Sequence, residues 1–141
     1  MGVEIRPFGP GDEEAVVGLW TECGLVVAWN DPVRDIRRKL EGQPELFLVA
    51  CSGGRIVATV AAGYEGHRGW INCLAVLPEH RRGGIGRRMM DVAEGRLRAA
   101  GRPKVNLQVR RGNAGVIAFH RRIGFEKDDV VSLGKRLQPD R

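Results

Sequence analysis

The sequence predicts a mixed α/β fold, in which β-strands and amphipathic helices are interspersed along one chain. The 141 residues are 43% hydrophobic and 28% charged, which is typical of a globular domain. Three β-rich runs lie in the middle of the chain, at 46–52, 55–62 and 70–77. A long stretch with apolar residues four apart then begins at Ile85, as in an amphipathic helix. Because no repeat, linker or low-complexity segment is present, we expect one domain over residues 1–141.

The first third of the chain predicts one strand and two helices. Val3 to Arg6 has the pattern of a short strand, and Gly11-Asp12 can cap a helix that Gly24 ends. Asp31-Pro32 is typical of an N-cap followed by a proline in the first helical position, so a second helix is expected there. The apolar positions expected to face the core are Val16, Leu19, Trp20 and Cys23 in the first helix and Val33, Ile36 and Leu40 in the second.

Three strands are predicted next. The runs Leu46 to Ser52 and Arg55 to Ala62 are joined by Ser52-Gly53-Gly54, which is a hairpin signal. A third strand, Trp70 to Leu77, follows the turn from Gly66 to Gly69.

The second half of the chain predicts helices and strands in alternation. A long helix ends at Ala100, before Gly101, and a strand is expected over Lys104 to Val109. Asn113 to Ile123 predicts a helix and Val130 to Leu137 a final strand, so the expected order is βααβββαβαβ. The final strand could be an exposed edge used in a homodimer.

Composition excludes several classes of protein. The apolar runs are too short to span a bilayer, and the N-terminus lacks the pattern of a signal peptide, so we expect a cytoplasmic protein without a membrane partner. Cys23, Cys51 and Cys73 are odd in number and far apart, and each lies in an apolar run. They are typical of small buried hydrophobic residues in a reducing compartment and have no metal-ligand spacing, so no metal is expected.

The net charge of +6 raises the possibility of a nucleic-acid-binding domain. Its arginines fall in scattered pairs, which is typical of solvated helix faces, and no known nucleic-acid motif accompanies them. A basic nucleic-acid-binding domain therefore remains only the weaker alternative, and we expect no nucleic-acid partner. The pairs are Arg37-Arg38, Arg81-Arg82, Arg87-Arg88, Arg110-Arg111 and Arg121-Arg122.

The stretch HRRGGIGRRMM, from His80 to Met90, has the composition of an anion-binding helix start. A dinucleotide fingerprint would need a glycine where Met89 stands, and the Gly-Lys-Ser/Thr of a Walker A loop is absent. Arg81-x-x-Gly84-x-Gly86 lies between a strand and a helix, where side-chain-free residues let main-chain N–H groups approach an anion. This geometry suits a pyrophosphate.

Two motifs resemble those of the GNAT family of N-acetyltransferases. Leu74-Ala75-Val76-x-Pro78-x-x-Arg81-Arg82-Gly83-Gly84-Ile85-Gly86 is similar to the acetyl-CoA motif of that family, and Asn113, Phe119-His120 and Gly124-Phe125 are similar to its Asn-x-x-Ala-x-x-Leu-Tyr-x-x-x-Gly-Phe helix. The resemblance implies the acyl-CoA N-acyltransferase fold, with two parallel central strands that splay apart. It also implies acetyl-CoA as the acetyl donor and an amine as the acceptor.

The resemblance also implies where the donor binds. The pantetheine arm would lie between the splayed strands Trp70 to Val76 and Lys104 to Val109, on the main chain near Leu74 and Val76. The amides from Arg82 to Arg87 would hold the pyrophosphate, and Asn113 would reach the pantetheine. The implied donor-binding residues are Leu74, Ala75, Val76, Arg81, Arg82, Gly83, Gly84, Ile85, Gly86, Arg87 and Asn113. Arg88 is a further candidate for the charged oxygens.

The implied catalytic positions depart from the family pattern. His120 stands where the family has a tyrosine that protonates the leaving thiolate, and its imidazole can donate or accept a proton. The alternative is that His120 is a surface residue between Phe119 and Arg121. Gln108 stands where ribosomal-protein N-terminal acetyltransferases, which LQVRRGNAGVIAFHRRIGF resembles, have a basic glutamate. Gln108 cannot take a proton but could orient a water or the acceptor.

The expected acceptor-binding residues lie in two segments, Trp29-Asn30-Asp31 and Glu65 to His67. Asp31 could instead serve only as a helix cap, and His67 could be an ordinary turn residue. A catalytically lapsed acetyl-CoA-binding module is the main alternative to an enzyme, because both proton-transfer positions are changed. One sequence does not identify the amine.

Overall fold

The computed structural model describes residues 2–139 and contains one mixed sheet flanked by helices. Two short 3-10 turns, Pro44–Leu46 and Pro78–His80, accompany the main elements. The strands are β1 (Val3–Pro7), β2 (Phe47–Ser52), β3 (Arg55–Tyr64), β4 (Gly69–Ile71), β5 (Ala75–Val76) and β6 (Val105–Leu107). The helices are α1 (Glu13–Glu22), α2 (Pro32–Gly42), α3 (Ile85–Ala99) and α4 (Ala114–Arg122).

The strand order is β1-β2-β3-β4-β6, and β5 also pairs with β3. All neighbours are antiparallel except β4 and β6, which run parallel with Gly69 opposite Val105 and Ile71 opposite Leu107. These two strands lie in the segments that were predicted to run parallel and to splay apart.

The two faces of β3 carry different helices. Trp20 of α1 donates its indole N–H to the hydroxyl of Thr59 at 2.9 Å, which satisfies both buried polar groups. Thr59 and Gly63 point to the same face because strand side chains alternate, and Lys39 of α2 lies over Gly63. On the opposite face, α3 buries the predicted stripe of Ile85, Met89, Ala93 and Leu97.

A β-bulge divides the third predicted strand into β4 and β5. Ala61 of β3 accepts a hydrogen bond from the N–H of Asn72 and donates its own N–H to the carbonyl of Cys73, so two residues lie opposite one. Beyond the bulge β5 pairs only with β3, while β4 before it pairs with both β3 and β6. The prediction that the parallel strands splay apart is therefore confirmed, and the bulge marks where the gap begins.

The prediction of a final strand over Val130 to Leu137 was wrong. Within residues 2–139 this segment forms no strand, although its residues have high β-propensity. Val130, Val131, Leu133 and Leu137 are each between 74% and 91% exposed. No apolar surface is buried that would offset the entropy of ordering the segment, and propensity alone does not hold a strand.

The prediction of the buried face of α2 was partly wrong. Ile36 is 1% exposed, as expected, but Leu40 is 36% exposed. The residue of the last turn that points toward the sheet is Lys39, three positions after Ile36. The cap of this helix is as predicted, because the Asp31 carboxylate accepts from the N–H groups of Val33 at 3.0 Å and Arg34 at 3.4 Å.

Among the residues described, no helix is long and apolar enough to cross a membrane.

Candidate functional site

The edge of β5 that faces away from β3 is open. Leu77 donates its N–H to Val57 of β3, so the main-chain groups of Val76, one residue earlier, point the other way, into the gap. The carbonyl of Cys73 accepts from the N–H of Ala61 in β3, so the N–H and C=O of Leu74, one residue later, also face the gap. These are the main-chain groups that the sequence predicted for the pantetheine arm.

The N-terminus of α3 follows this edge within ten residues and presents free amides. The first α-helical bond runs from the N–H of Arg88 to the carbonyl of Gly84 at 3.1 Å, so the amides of Ile85, Gly86 and Arg87 have no helical acceptor. Gly84 is the N-cap residue, with φ 78°, and no side chain caps the helix. A non-glycine residue is strained at this φ, so glycine keeps the amides uncovered.

The arginines around this helix start point in different directions. Arg81 donates its Nε to the carbonyl of Val76 at 2.9 Å, and Arg88 donates to the carbonyl of Val3 at 3.2 Å, beside β1. Neither Arg82 nor Arg87 has a side-chain hydrogen bond or ion pair within residues 2–139, and both are exposed. Arg82 and Arg87 are therefore the free guanidinium groups near the uncovered amides.

The start of α3 lies against α4 through a glycine. A Cβ on Gly86 would be 3.4 Å from the Phe119 ring and 3.7 Å from the Val76 side chain. Phe119 of α4 thus covers the region between the edge of β5 and the helix start.

His120 is buried, not a surface residue. It is 5% exposed and lies between the rings of Phe119 and Phe125, with centroids 5.0 and 5.3 Å away in edge-to-face geometry. Its Nδ1 is enclosed without a hydrogen-bond partner among residues 2–139. Burial lowers the pKa of His120, so the neutral imidazole, which offers one acceptor and one donor nitrogen, predominates at pH 7.

Asn113 and Gln108 are held by other contacts. Asn113 is the N-cap of α4, and its side-chain oxygen accepts from the N–H of Val116 at 3.4 Å, so this oxygen is used by the helix cap. Gln108 is exposed and its amide nitrogen donates to the hydroxyl of Ser132 at 2.6 Å.

The loop before α2 borders the carboxyl end of β6. Trp29 is 53% exposed, and the guanidinium of Arg110 lies 5.8 Å from its ring centroid. This contact places Trp29 beside the chain that follows β6, and the acceptor-binding role of Trp29 and of the adjacent Asn30 stays a prediction. The Asp31 carboxylate caps α2, and it is also 3.7 Å from Arg34.

Glu65 and His67 are not brought to the gap. They lie in the turn between β3 and β4, where Glu65 donates its N–H to the carbonyl of Arg68. This turn precedes β4, whereas the bulge at which the gap begins follows β4. The bulge lies six residues after His67, roughly 20 Å along an extended chain. Both side chains are exposed.

Sequence reasoning did not single out Lys39, and it treated Cys73 only as one of three cysteines in apolar runs. Lys39 is half-buried over β3, and Cys73 lies in the bulge with its thiol largely hidden. Burial lowers the pKa of Lys39 and raises the pKa of Cys73, so the thiol rather than the thiolate predominates at neutral pH. The i, i+3 relation of Lys39 to Ile36 was the signal that could have revealed it.

An uncovered helix start directly after an open, bulged strand edge is an arrangement suited to an extended ligand with an anionic centre. The chain belongs to the GNAT family of acetyltransferases, because the profile of that family, Acetyltransferase (GNAT) family, matches residues 14–125. The chain is 46% identical over 139 residues to "Acetyltransferase ECA0875" of Pectobacterium atrosepticum, a match that covers 99% of each protein.

Solved structures share the fold. Ard1 from Thermoplasma volcanium superimposes with a TM-score of 0.77 and 27% identity over 89% of this chain and 84% of its own. The PaiA N-acetyltransferase of Thermoplasma acidophilum, solved in complex with coenzyme A, has a TM-score of 0.74 and 19% identity over 93% of this chain and 94% of its own. The latter shows a likeness of fold alone.

Proposed function

We propose that the protein transfers an acetyl group from acetyl-CoA directly to a primary amine within a ternary complex. The observation that carries this proposal is the continuous path from the edge of β5 at Leu74 and Val76, which pairs with no strand among residues 2–139, to the uncovered amides of Ile85, Gly86 and Arg87. On this edge the carbonyl of Val76 already accepts from Arg81 and Cys23. Amides and thioesters are neutral and suit main-chain partners, while a pyrophosphate suits a helix start. The related fold that holds coenzyme A in another protein supports the same donor here.

Arg82 and Arg87 would add charge to the pyrophosphate seat, because Arg81 and Arg88 are engaged by main-chain carbonyls. Arg81 shares the Val76 carbonyl with the Cys23 thiol, which lies at 3.4 Å. A pantetheine amide that bonds to this carbonyl would displace one of the two donors.

The acceptor nitrogen would attack the thioester carbonyl carbon, and the carbon–sulfur bond would then break. A main-chain N–H that faces the gap, such as that of Leu74, can stabilise the oxyanion. We assign to His120, which is neutral at pH 7, the role of accepting the amine proton directly or through a water. The imidazolium so formed would then give this proton to the leaving thiolate, which becomes the thiol of free CoA. Because the Cys73 thiol is protonated, direct transfer is favoured over an acetyl-cysteine intermediate.

Calorimetric titration with acetyl-CoA tests the donor assignment. Gly84→Glu would place a carboxylate at the pyrophosphate seat and should abolish the micromolar binding expected of the unmodified protein. Gly101→Glu is the matched control, because Gly101 has φ 82° against 78° for Gly84, no heavy atom lies within 4 Å of a Cβ at either, and it follows the other end of α3. A folded protein that does not bind acetyl-CoA would refute the proposal.

A second candidate function is acetyl-CoA binding without catalysis. It is favoured by Gln108, which cannot take a proton and is bonded to Ser132. Release of free CoA thiol upon addition of an amine separates the two functions, since a binding module would hold acetyl-CoA and release none.

A nucleic-acid-binding domain would instead show steeply salt-dependent binding to DNA or RNA and none to acetyl-CoA. The cytoplasmic location and the homodimer stay predictions.

A further inference from the structure

Lys39 is a cation held against the sheet without an anionic partner. Its side chain is half-buried, and no ion pair or hydrogen bond of its ammonium is found within residues 2–139. Burial lowers the pKa of Lys39, and the Coulombic influence of Cys73 and then of Glu45 only partly opposes that shift. A desolvated ammonium without a partner is costly, so a ligand that supplies an anion would relieve that cost.

Gly63 provides the space that this ammonium occupies. A Cβ on Gly63 would be 2.9 Å from Nζ of Lys39, closer than the two atoms could stay. The glycine therefore lets the ammonium lie directly on the strand, while Arg37 and Arg38 on the same helix are exposed to solvent.

The register of the sheet places Lys39 one row from the bulge. Gly63 lies opposite Trp70 of β4, which lies opposite Asn106 of β6. These three positions therefore lie on the face of the sheet that Lys39 covers. The next row toward the gap is Ala61 with Cys73 of the bulge. Two residues along a strand span about 7 Å. A small acceptor whose amine attacks the thioester carbonyl could therefore contact Lys39 with its other end.

We propose that Lys39, in the space left by Gly63, binds the carboxylate of the acceptor, so that the protein acetylates amines that also carry a carboxylate, such as amino acids. This inference rests on the proposed function and specifies its substrate class. A fixed cation beside the bulge attracts a carboxylate and repels a polyamine or another acceptor with several positive charges.

The first test measures CoA release with matched pairs of acceptors. L-alanine, L-methionine and L-phenylalanine are each compared with their carboxamides, and spermidine serves as the cationic acceptor. We expect kcat/KM for the acids to exceed that for the amides by roughly tenfold or more, as is typical of a charged hydrogen bond. Lys39→Met should remove this preference through KM, and Lys39→Arg should retain part of it.

Arg37→Met is the matched control, because it removes a positive charge from the exposed side of the same helix. It should leave the preference for acids unchanged. Equal or better turnover of the amides or of spermidine by the unmodified protein would overturn the inference while leaving the acetyltransferase proposal intact. An equal loss on acids and amides in Lys39→Met would also overturn it.

The second test does not depend on turnover. The chain has four lysines, so reductive ¹³C-methylation, which keeps their charge, gives few NMR signals, and Lys39→Met identifies the one from Lys39. With acetyl-CoA present, this signal should shift on addition of the acids and not of the amides. Absence of a shift with all three acids overturns the inference. A shift without release of CoA in any assay would instead count against the proposed function.

Discussion

The donor side and the acceptor side of the gap are built from different parts of the chain. On the donor side, the ligand-facing groups are main-chain amides and carbonyls of β5 and of the start of α3, within residues 74–87. On the proposed acceptor side, the groups that would face the ligand are side chains from distant elements, among them Trp29, Lys39 and Arg110. The donor side can thus be assembled by one local segment, while the acceptor side requires the whole fold.

This difference explains how one fold can keep a donor and change its acceptor. Main-chain groups persist under substitution as long as the backbone path persists, which needs glycine at Gly84 and a bulge at Asn72 and Cys73. Side chains such as Lys39 can be exchanged without altering that path. Variants that separate the two sides test this division.

The largest effect is expected at His120, which is buried between Phe119 and Phe125. His120→Phe should lower kcat by about 10² or more if the imidazole transfers a proton, with acetyl-CoA affinity nearly unchanged. Since Nδ1 of His120 is enclosed and unpaired, an apolar ring should fit the cage of Phe119 and Phe125 without loss of stability. Single-turnover kinetics, calorimetry and thermal unfolding measure the three quantities.

The pH profile provides the control for this role. Burial lowers the pKa of His120, so the neutral form that accepts a proton is lost only as pH falls below the ordinary histidine pKa of about 6.5. The acid limb of kcat should therefore lie below that value in the unmodified protein and be absent from the residual rate of His120→Phe. Full turnover in the variant, or an unchanged acid limb, would remove His120 from the mechanism.

A smaller effect is expected from the arginines of the donor side. Arg82→Ala and Arg87→Ala should each weaken acetyl-CoA binding by roughly tenfold, because each removes a free guanidinium near the pyrophosphate seat. Arg88→Ala is the control, since Arg88 donates to the carbonyl of Val3 beside β1. Calorimetry at two salt concentrations should show a weaker salt dependence only in the first two variants. A loss in Arg88→Ala equal to theirs would show that general charge, not position, holds the donor.

The same division describes how much the sequence could predict. The hairpin, the α3 stripe, the cap at Asp31 and the glycine start of α3 depend on neighbours within a few residues, and their patterns were sufficient. The parallel pairing of β4 with β6 was predicted from the family resemblance, because short strands do not specify their partners.

Local patterns failed where tertiary contacts decide. Val130 to Leu137 has a strand-forming composition, but no surface covers its apolar side chains. Leu40 fits the apolar spacing of α2, yet Lys39 takes the inward position because Gly63 leaves room below it. Nor could spacing reveal that Gln108 is bonded to Ser132, or that Glu65 and His67 lie at the closed end of the parallel pair.

The smallest effect concerns Asp31, for which the sequence left two roles open. Its carboxylate caps α2, so Asp31→Ala should lower the free energy of unfolding by about 1 kcal/mol, and Asp31→Asn should restore most of it because asparagine caps equally well. Asparagine keeps the cap and removes the charge, so acceptor KM in Asp31→Asn reports only on acceptor binding. An unchanged KM for every acceptor would assign Asp31 to the fold alone. A changed KM at unchanged stability would add its charge to the acceptor side, where Lys39 would then lie across from an acidic group, and a zwitterionic acceptor would have a partner for each of its charges.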